Sequence, residues 1–135
     1  MQLDTPQQLL EAIRRGEMVV ITDDESDSEG SLLMAAEQVD ASAINFMALH
    51  ARGLICLALT EERCQALGLG LMVPNSRALH GMGFTVSIEA TTGVSTGISA
   101  ADRARSIQVA VDPASGPAIW SSRGIFSRCR RSRAG

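Results

Sequence analysis

The chain has 135 residues, 45% of them hydrophobic, with a net charge of −3, which suits one domain with a single core. No run approaches the roughly 18 apolar residues of a membrane helix, and the polar N-terminus lacks the basic-then-apolar order of a secretory signal, so a soluble cytoplasmic protein with no membrane partner is expected. Three cysteines, Cys56, Cys64 and Cys129, with no C-x-x-C pair suggest neither a disulfide framework nor a zinc site.

In chain order, Thr5-Pro6 followed by Leu9, Leu10 and Ile13 predicts a capped helix with proline at its first position and an apolar stripe, ended by Gly16. Met18 to Ile21 predicts a strand that delivers the chain into the acidic loop Asp23-Asp24-Glu25-Ser26-Asp27-Ser28-Glu29-Gly30. From Asp40, the spacing of Ile44, Met47 and Ala48 is helical, Gly53 is the expected stop, and Leu54 to Leu59 reads as a buried strand. Thr60-Glu61-Glu62 caps a further helix. Phe84-Thr85-Val86-Ser87-Ile88-Glu89 alternates as a half-buried strand does. After the loop Thr91 to Gly97, Ser99-Ala100-Ala101-Asp102 has capping-box spacing, with Asp in place of the usual Glu, and opens a helix carrying Ile107 and Val109. The alternation of strands and helices predicts an α+β fold, an α/β-type mixed sheet with flanking helices, without internal repeats.

The last eighteen residues, from Ala118, carry +5, whereas the rest has seven arginines against fifteen acids, a net −8; there is no lysine. A basic tail suits a nucleic-acid partner on charge alone, because arginines neutralise phosphates.

Two segments carry candidate chemistry. Five carboxylates within seven residues repel one another unless water, a divalent cation or arginines neutralise them; the acidic loop is then either a solvated charged loop or a cation site, and it lacks the ligand spacing of an EF-hand. The Gly93 to Gly97 loop, running into a helix at Ser99, reads either as a turn and helix cap or as a phosphate cradle of N–H groups. His50 and His80 read as structural, and Cys56, inside an apolar run, as an inert core thiol.

Taken together, the acidic loop ending Glu-Gly, Gly-Leu-Ile-Cys-Leu-Ala-Leu-Thr-Glu-Glu-Arg, Gly-Phe-Thr-Val-Ser-Ile-Glu-Ala and Ser-Thr-Gly-Ile-Ser-Ala-Ala-Asp-Arg resemble the 3,4-dihydroxy-2-butanone 4-phosphate synthases of riboflavin biosynthesis, over about residues 5 to 112. The resemblance implies a lyase converting D-ribulose 5-phosphate to 3,4-dihydroxy-2-butanone 4-phosphate and formate, with Mg2+ (or Mn2+) and a homodimeric α+β fold. It implies catalytic roles for Asp24, Asp27 and Glu29, metal binding at Asp27, and substrate binding at Ser26, Asp27, Ser31, Ser95 and Thr96.

The chain departs from the family's loop, D-D-E-D-R-E-N-E-G-D, by reading T-D-D-E-S-D-S-E-G-S from Thr22 to Ser31. Ser26 stands where the family has a substrate-contacting arginine, Asp27 where it has a metal-binding glutamate, and Ser31 where it has an aspartate. These changes imply an impaired or inactive copy. The family's later D-L-x-x-P-G-H-[IV]-F-P-L, P-G-G-V-L and G-H-T-E segments do not occur. Back-translating Ala118 to Gly135 and reading one nucleotide earlier permits G-D-L-V-V-P-G-H-I-F-P-L, followed by P-G-G. Residues 1-117 are therefore read as an incomplete, truncated synthase-like domain and residues 118-135 as an out-of-frame tail, whose arginines follow from codon usage rather than nucleic-acid binding. The alternative function is a non-catalytic remnant or interaction domain of the same family, once fused to or paired with an enzyme such as GTP cyclohydrolase II.

Overall fold

The computed structural model describes residues 3–23, 26–73, 82–117 and 120–130, with side chains except at 23–29, 82, 121–124, 126 and 128–130. Helix α1 (Pro6–Arg14) begins as its sequence dictates. Thr5 accepts from the Gln8 N–H while the Gln8 side chain accepts from the Thr5 N–H, a complete capping box, and Pro6 occupies a position whose N–H has no helical partner anyway. Leu9 and Ile13 are half-buried, whereas Leu10 stays exposed.

Strands β1 (Val19–Asp23) and β2 (Ser26–Leu33) form an antiparallel hairpin, pairing Val19 with Leu33 and Thr22 with Gly30, with a register shift between Thr22 and Asp23. The acidic segment is thus not a loop delivered by one strand. Most of it is the first half of β2, where Ser26 pairs with Asp23 and Gly30 with Thr22 and the register shift falls between these two pairs.

After a 3-10 turn (Ala36–Gln38), α2 (Ala41–Phe46) is capped by Asp40, whose carboxylate accepts from the Ala43 N–H at 2.7 Å. It widens into a π-turn over Met47–Ala51 and stops at Arg52, which takes a left-handed φ of 55°. The expected stop at Gly53 is therefore displaced by one residue: the wider π-turn brings the Arg52 N–H to the Met47 carbonyl at 3.2 Å, and the Arg52 Nε donates to the Leu49 carbonyl at 3.3 Å.

Strand β3 (Cys56–Thr60) alternates exposed and buried residues rather than being buried throughout. Leu57 and Leu59 face the core, while Leu54, ahead of the strand, is 62% exposed. Cys56 lies on the exposed face, so it is not the core thiol its apolar neighbours suggested; of the two cysteines whose side chains are described, Cys64 is the buried one. A period of two explains the error, since an apolar run does not say which of its faces is covered. Thr60 caps α3 (Glu61–Ala66) by accepting from the Arg63 N–H at 3.2 Å.

The expected strand from Phe84 to Glu89 is two strands, β4 (Met82–Phe84) and β5 (Ile88–Ala90). Its parity also differs at the break, where Thr85 is fully buried and Val86 is 45% exposed. Thr85 tolerates burial because its hydroxyl bonds the Ser127 hydroxyl and the Val86 carbonyl, and its N–H donates to the Ser127 carbonyl at 2.9 Å.

Helix α4 (Ala100–Val111) and strand β6 (Trp120–Arg130) complete the fold. β6 lies between β3, to which it is parallel, and β4, to which it is antiparallel, and it also pairs with β5. The result is the mixed sheet with flanking helices of an α+β fold, beside the separate β1–β2 hairpin. Ile44, Leu57, Leu67, Ile88, Ile107 and Ile125 bring α2, β3, α3, β5, α4 and β6 into one core. Each such side chain contributes about 1.5–3 kcal/mol on burial.

Candidate functional site

The loop between β5 and α4 is organised by one side chain, Asp102. Ser99 opens α4 by accepting the Asp102 N–H at 3.1 Å. In a capping box the residue at Asp102's position would turn back to the Ser99 N–H. Instead the Asp102 carboxylate accepts from the Ser95 N–H, the Thr96 N–H and the Gly97 N–H, each at 3.0 Å, and from the Ser95 hydroxyl at 3.1 Å. The Thr96 hydroxyl stands 3.4 Å from the same carboxylate. These bonds stabilise the charged form, the Ser95 N–H most, and against the opposing effect of burial they hold the carboxyl far below its ordinary range.

The rest of the loop follows from this grip. Gly93 and Gly97 have φ of 77° and 75°, the left-handed conformation that lets consecutive N–H groups converge on one oxygen pair. The Glu89 carboxylate, buried on β5, lies where a Cβ at position 97 would fall, and Arg105 packs over Gly93. Ser106 ties the base of the loop to the helix: its hydroxyl accepts from the Ala90 N–H and donates to the Asp102 carbonyl, both at 3.0 Å.

Of the residues singled out from sequence, Ser95 and Thr96 lie on this loop, both exposed, with their N–H and hydroxyl donors turned to Asp102. Ser26, Asp27 and Glu29 lie on β2, where the backbone is described and the side chains are not; Ser31, on the same strand, is exposed opposite Ile21. Asp24 lies outside the described residues. Among the described residues, no three His, Cys, Asp or Glu side chains converge as a metal site. Asp102 was read from sequence only as half of a cap. Its spacing from Ser99 was the signal, but spacing cannot tell whether a carboxylate turns to the cap or to the loop before it.

The family model for 3,4-dihydroxy-2-butanone 4-phosphate synthase matches residues 7–132. A 3,4-dihydroxy-2-butanone 4-phosphate synthase of Pseudomonas syringae pv. tomato is 55% identical over 118 residues, covering 87% of this chain and 32% of the relative. One from Pseudomonas aeruginosa is 57% identical over 111 residues, covering 82% of this chain and 30% of its own. Among solved structures, a 3,4-dihydroxy-2-butanone 4-phosphate synthase in complex with two magnesium ions superposes with a TM-score of 0.88 at 34% identity, over 96% of this chain and 62% of the other. A two-domain 3,4-dihydroxy-2-butanone 4-phosphate synthase from A. baumannii gives 0.82 at 43% identity, over 96% and 40%. The chain thus spans about a third of the length of these curated relatives.

Proposed function

The chain belongs to the 3,4-dihydroxy-2-butanone 4-phosphate synthase family, and from that premise we propose that it carries one part of a site that converts D-ribulose 5-phosphate to 3,4-dihydroxy-2-butanone 4-phosphate and formate. The match of the family across residues 7–132 is the observation that supports this reading most.

Enolising a ketose requires a proton to be moved beside a carbonyl and the resulting charge to be neutralised. Asp24 and Glu29 are the carboxylates for proton movement, and Asp27 is the metal ligand as well as a substrate contact. The donor set fits the metal, because a carboxylate is a hard oxygen ligand and Mg2+ is commonly held by one or two of them with water completing its shell. A bound Mg2+ or Mn2+ supplies charge neutralisation at the sugar oxygens. Ser26 and Ser31 face the substrate in place of longer charged residues, and Ser95 and Thr96 belong to the loop near its phosphate. Replacing an arginine by Ser26 removes a charge-assisted contact of roughly 1.5–3 kcal/mol, an affinity loss of about tenfold or more. The protein works as a homodimer in the cytoplasm; among the described residues no helix is long and apolar enough to cross a membrane.

A second reading, a non-catalytic remnant or interaction domain, is favoured by Ser26 and Ser31 themselves. Formate release from D-ribulose 5-phosphate with Mg2+ separates the two. The measurement compares this chain, its Ser26→Arg/Ser31→Asp variant, and a version whose residues 118-135 are restored to the alternative reading frame. Turnover by the frame-restored version supports the synthase reading with an out-of-frame tail. Absence of turnover in all three, each shown to be folded, supports the remnant.

A further inference from the structure

We infer that Asp102 is the anion around which the Gly93 to Gly97 loop is built, a positioning residue that sets Ser95 and Thr96 in place while withdrawing their donors from a substrate phosphate. The inference deepens the sugar-phosphate reading above and rests on it only for the identity of the substrate.

Three consecutive N–H groups converging on one point form a concavity that binds anions, in most settings a phosphate or carboxylate from outside the chain. Here the occupant is internal. One carboxylate oxygen takes the Ser95 N–H, and the other takes the Thr96 N–H, the Gly97 N–H and the Ser95 hydroxyl. With the Thr96 hydroxyl at 3.4 Å there are five donors around the carboxylate, four of them gathered on one oxygen, against about four lone-pair sites for the whole group. Asp102 is 5% exposed, which leaves no second anion room to share the donors.

The same residue is held through its backbone. Its N–H donates to Ser99 and its carbonyl accepts from Ser106, which in turn accepts from Ala90 at the end of β5. The beginning and end of the loop are therefore fastened to one turn of α4. A phosphate dianion entering the concavity would have to expel Asp102 and would meet Glu89, whose carboxylate lies against Gly97. Arg105, which packs at Gly93, is at the opposite end of the loop. The loop consequently offers a substrate fixed shape and hydroxyl lone pairs, and the phosphate takes its hydrogen bonds from donors elsewhere.

The test is amide NMR of the whole chain, with the signals of Ser95, Thr96 and Gly97 assigned. In the wild-type protein these three signals are expected to stay unmoved on titration with inorganic phosphate, at concentrations that shift other signals or none. Movement of all three with inorganic phosphate overturns the inference, and so does a spectrum without dispersed signals. In Asp102→Asn, which keeps the shape and removes the charge, exchange of these three amides is expected to quicken by about tenfold or more. Retention of their protection overturns the inference. In Asp102→Gly, sodium formate or acetate is expected to restore the protection, as a carboxylate re-enters the vacated place; restoration by phosphate alone overturns it. Because none of these readouts needs turnover, lack of formate release counts against the synthase reading and leaves this result standing.

Discussion

Arg63 on α3 donates through Nε to the carbonyl of Ala110 on α4 at 2.8 Å, across 47 residues of sequence. Its other nitrogens donate to the Ser115 carbonyl at 3.2 Å and to the Asp112 carbonyl. One guanidinium thus closes the C-terminal end of α4, where carbonyls have no helical partner and the helix dipole is negative.

Arg63→Ala is expected to destabilise the fold by about 2–4 kcal/mol, since several carbonyls lose a charged donor together. Arg63→Lys recovers only part of this, because an ammonium cannot span the same fork. Denaturant midpoints at constant slope measure both, and a Lys variant as stable as wild type would show that charge alone suffices.

Asp102 sets the acid response. Its folded pKa is depressed below the ordinary 3.8, so its stabilisation is fully present above that value and is lost only as pH falls through the lower folded value. Wild-type stability is therefore expected to decline steeply below pH 3.8, whereas Asp102→Asn starts lower at pH 7 and declines less. Glu89 and Arg105, which border the loop, are common to both proteins, so the difference between the two curves reports Asp102. Thermal melts from pH 7 to pH 2 provide the check, and parallel curves would refute the assignment.

Gly97 combines a φ of 75° with the Glu89 carboxylate in the place of a Cβ. Gly97→Ala is expected to cost about 1–2 kcal/mol for the left-handed backbone alone, with displacement of Glu89 in addition. Gly53→Ala, with only the Ala51 carbonyl at 4.0 Å, is expected to stay within about 0.5 kcal/mol of wild type. Equal effects in unfolding experiments would contradict the loop geometry.

Thr85 and Ser127 are both fully buried and bonded to each other. Thr85→Val leaves Ser127 with an unmatched hydroxyl and is expected to cost about 1–3 kcal/mol, while Thr85→Val/Ser127→Ala costs less than the two single changes added together. Strict additivity in the double-mutant cycle would mean that Ser127 is not packed against Thr85, and so that β6 does not lie in the sheet.

Local chemistry decided much of this protein. Thr5, Asp40, Thr60 and Ser99 each cap the helix that their sequence announced, because a cap needs only a hydroxyl or carboxylate a few residues from its partner. The family was equally legible, since its blocks between Gly53 and Arg103 are contiguous in sequence. Tertiary contacts decided the rest. No element was read within residues 118-135, yet Trp120–Arg130 form the strand between β3 and β4, a position that depends on partners far away in the chain. The parity at Thr85 depends on Ser127, and the exposure of Cys56 on which face of β3 the helices cover. Asp102 shows the division most sharply. Its spacing from Ser99 predicts a cap, but the direction of its carboxylate was settled by three loop N–H groups, that of Gly97 buried, which converge on it.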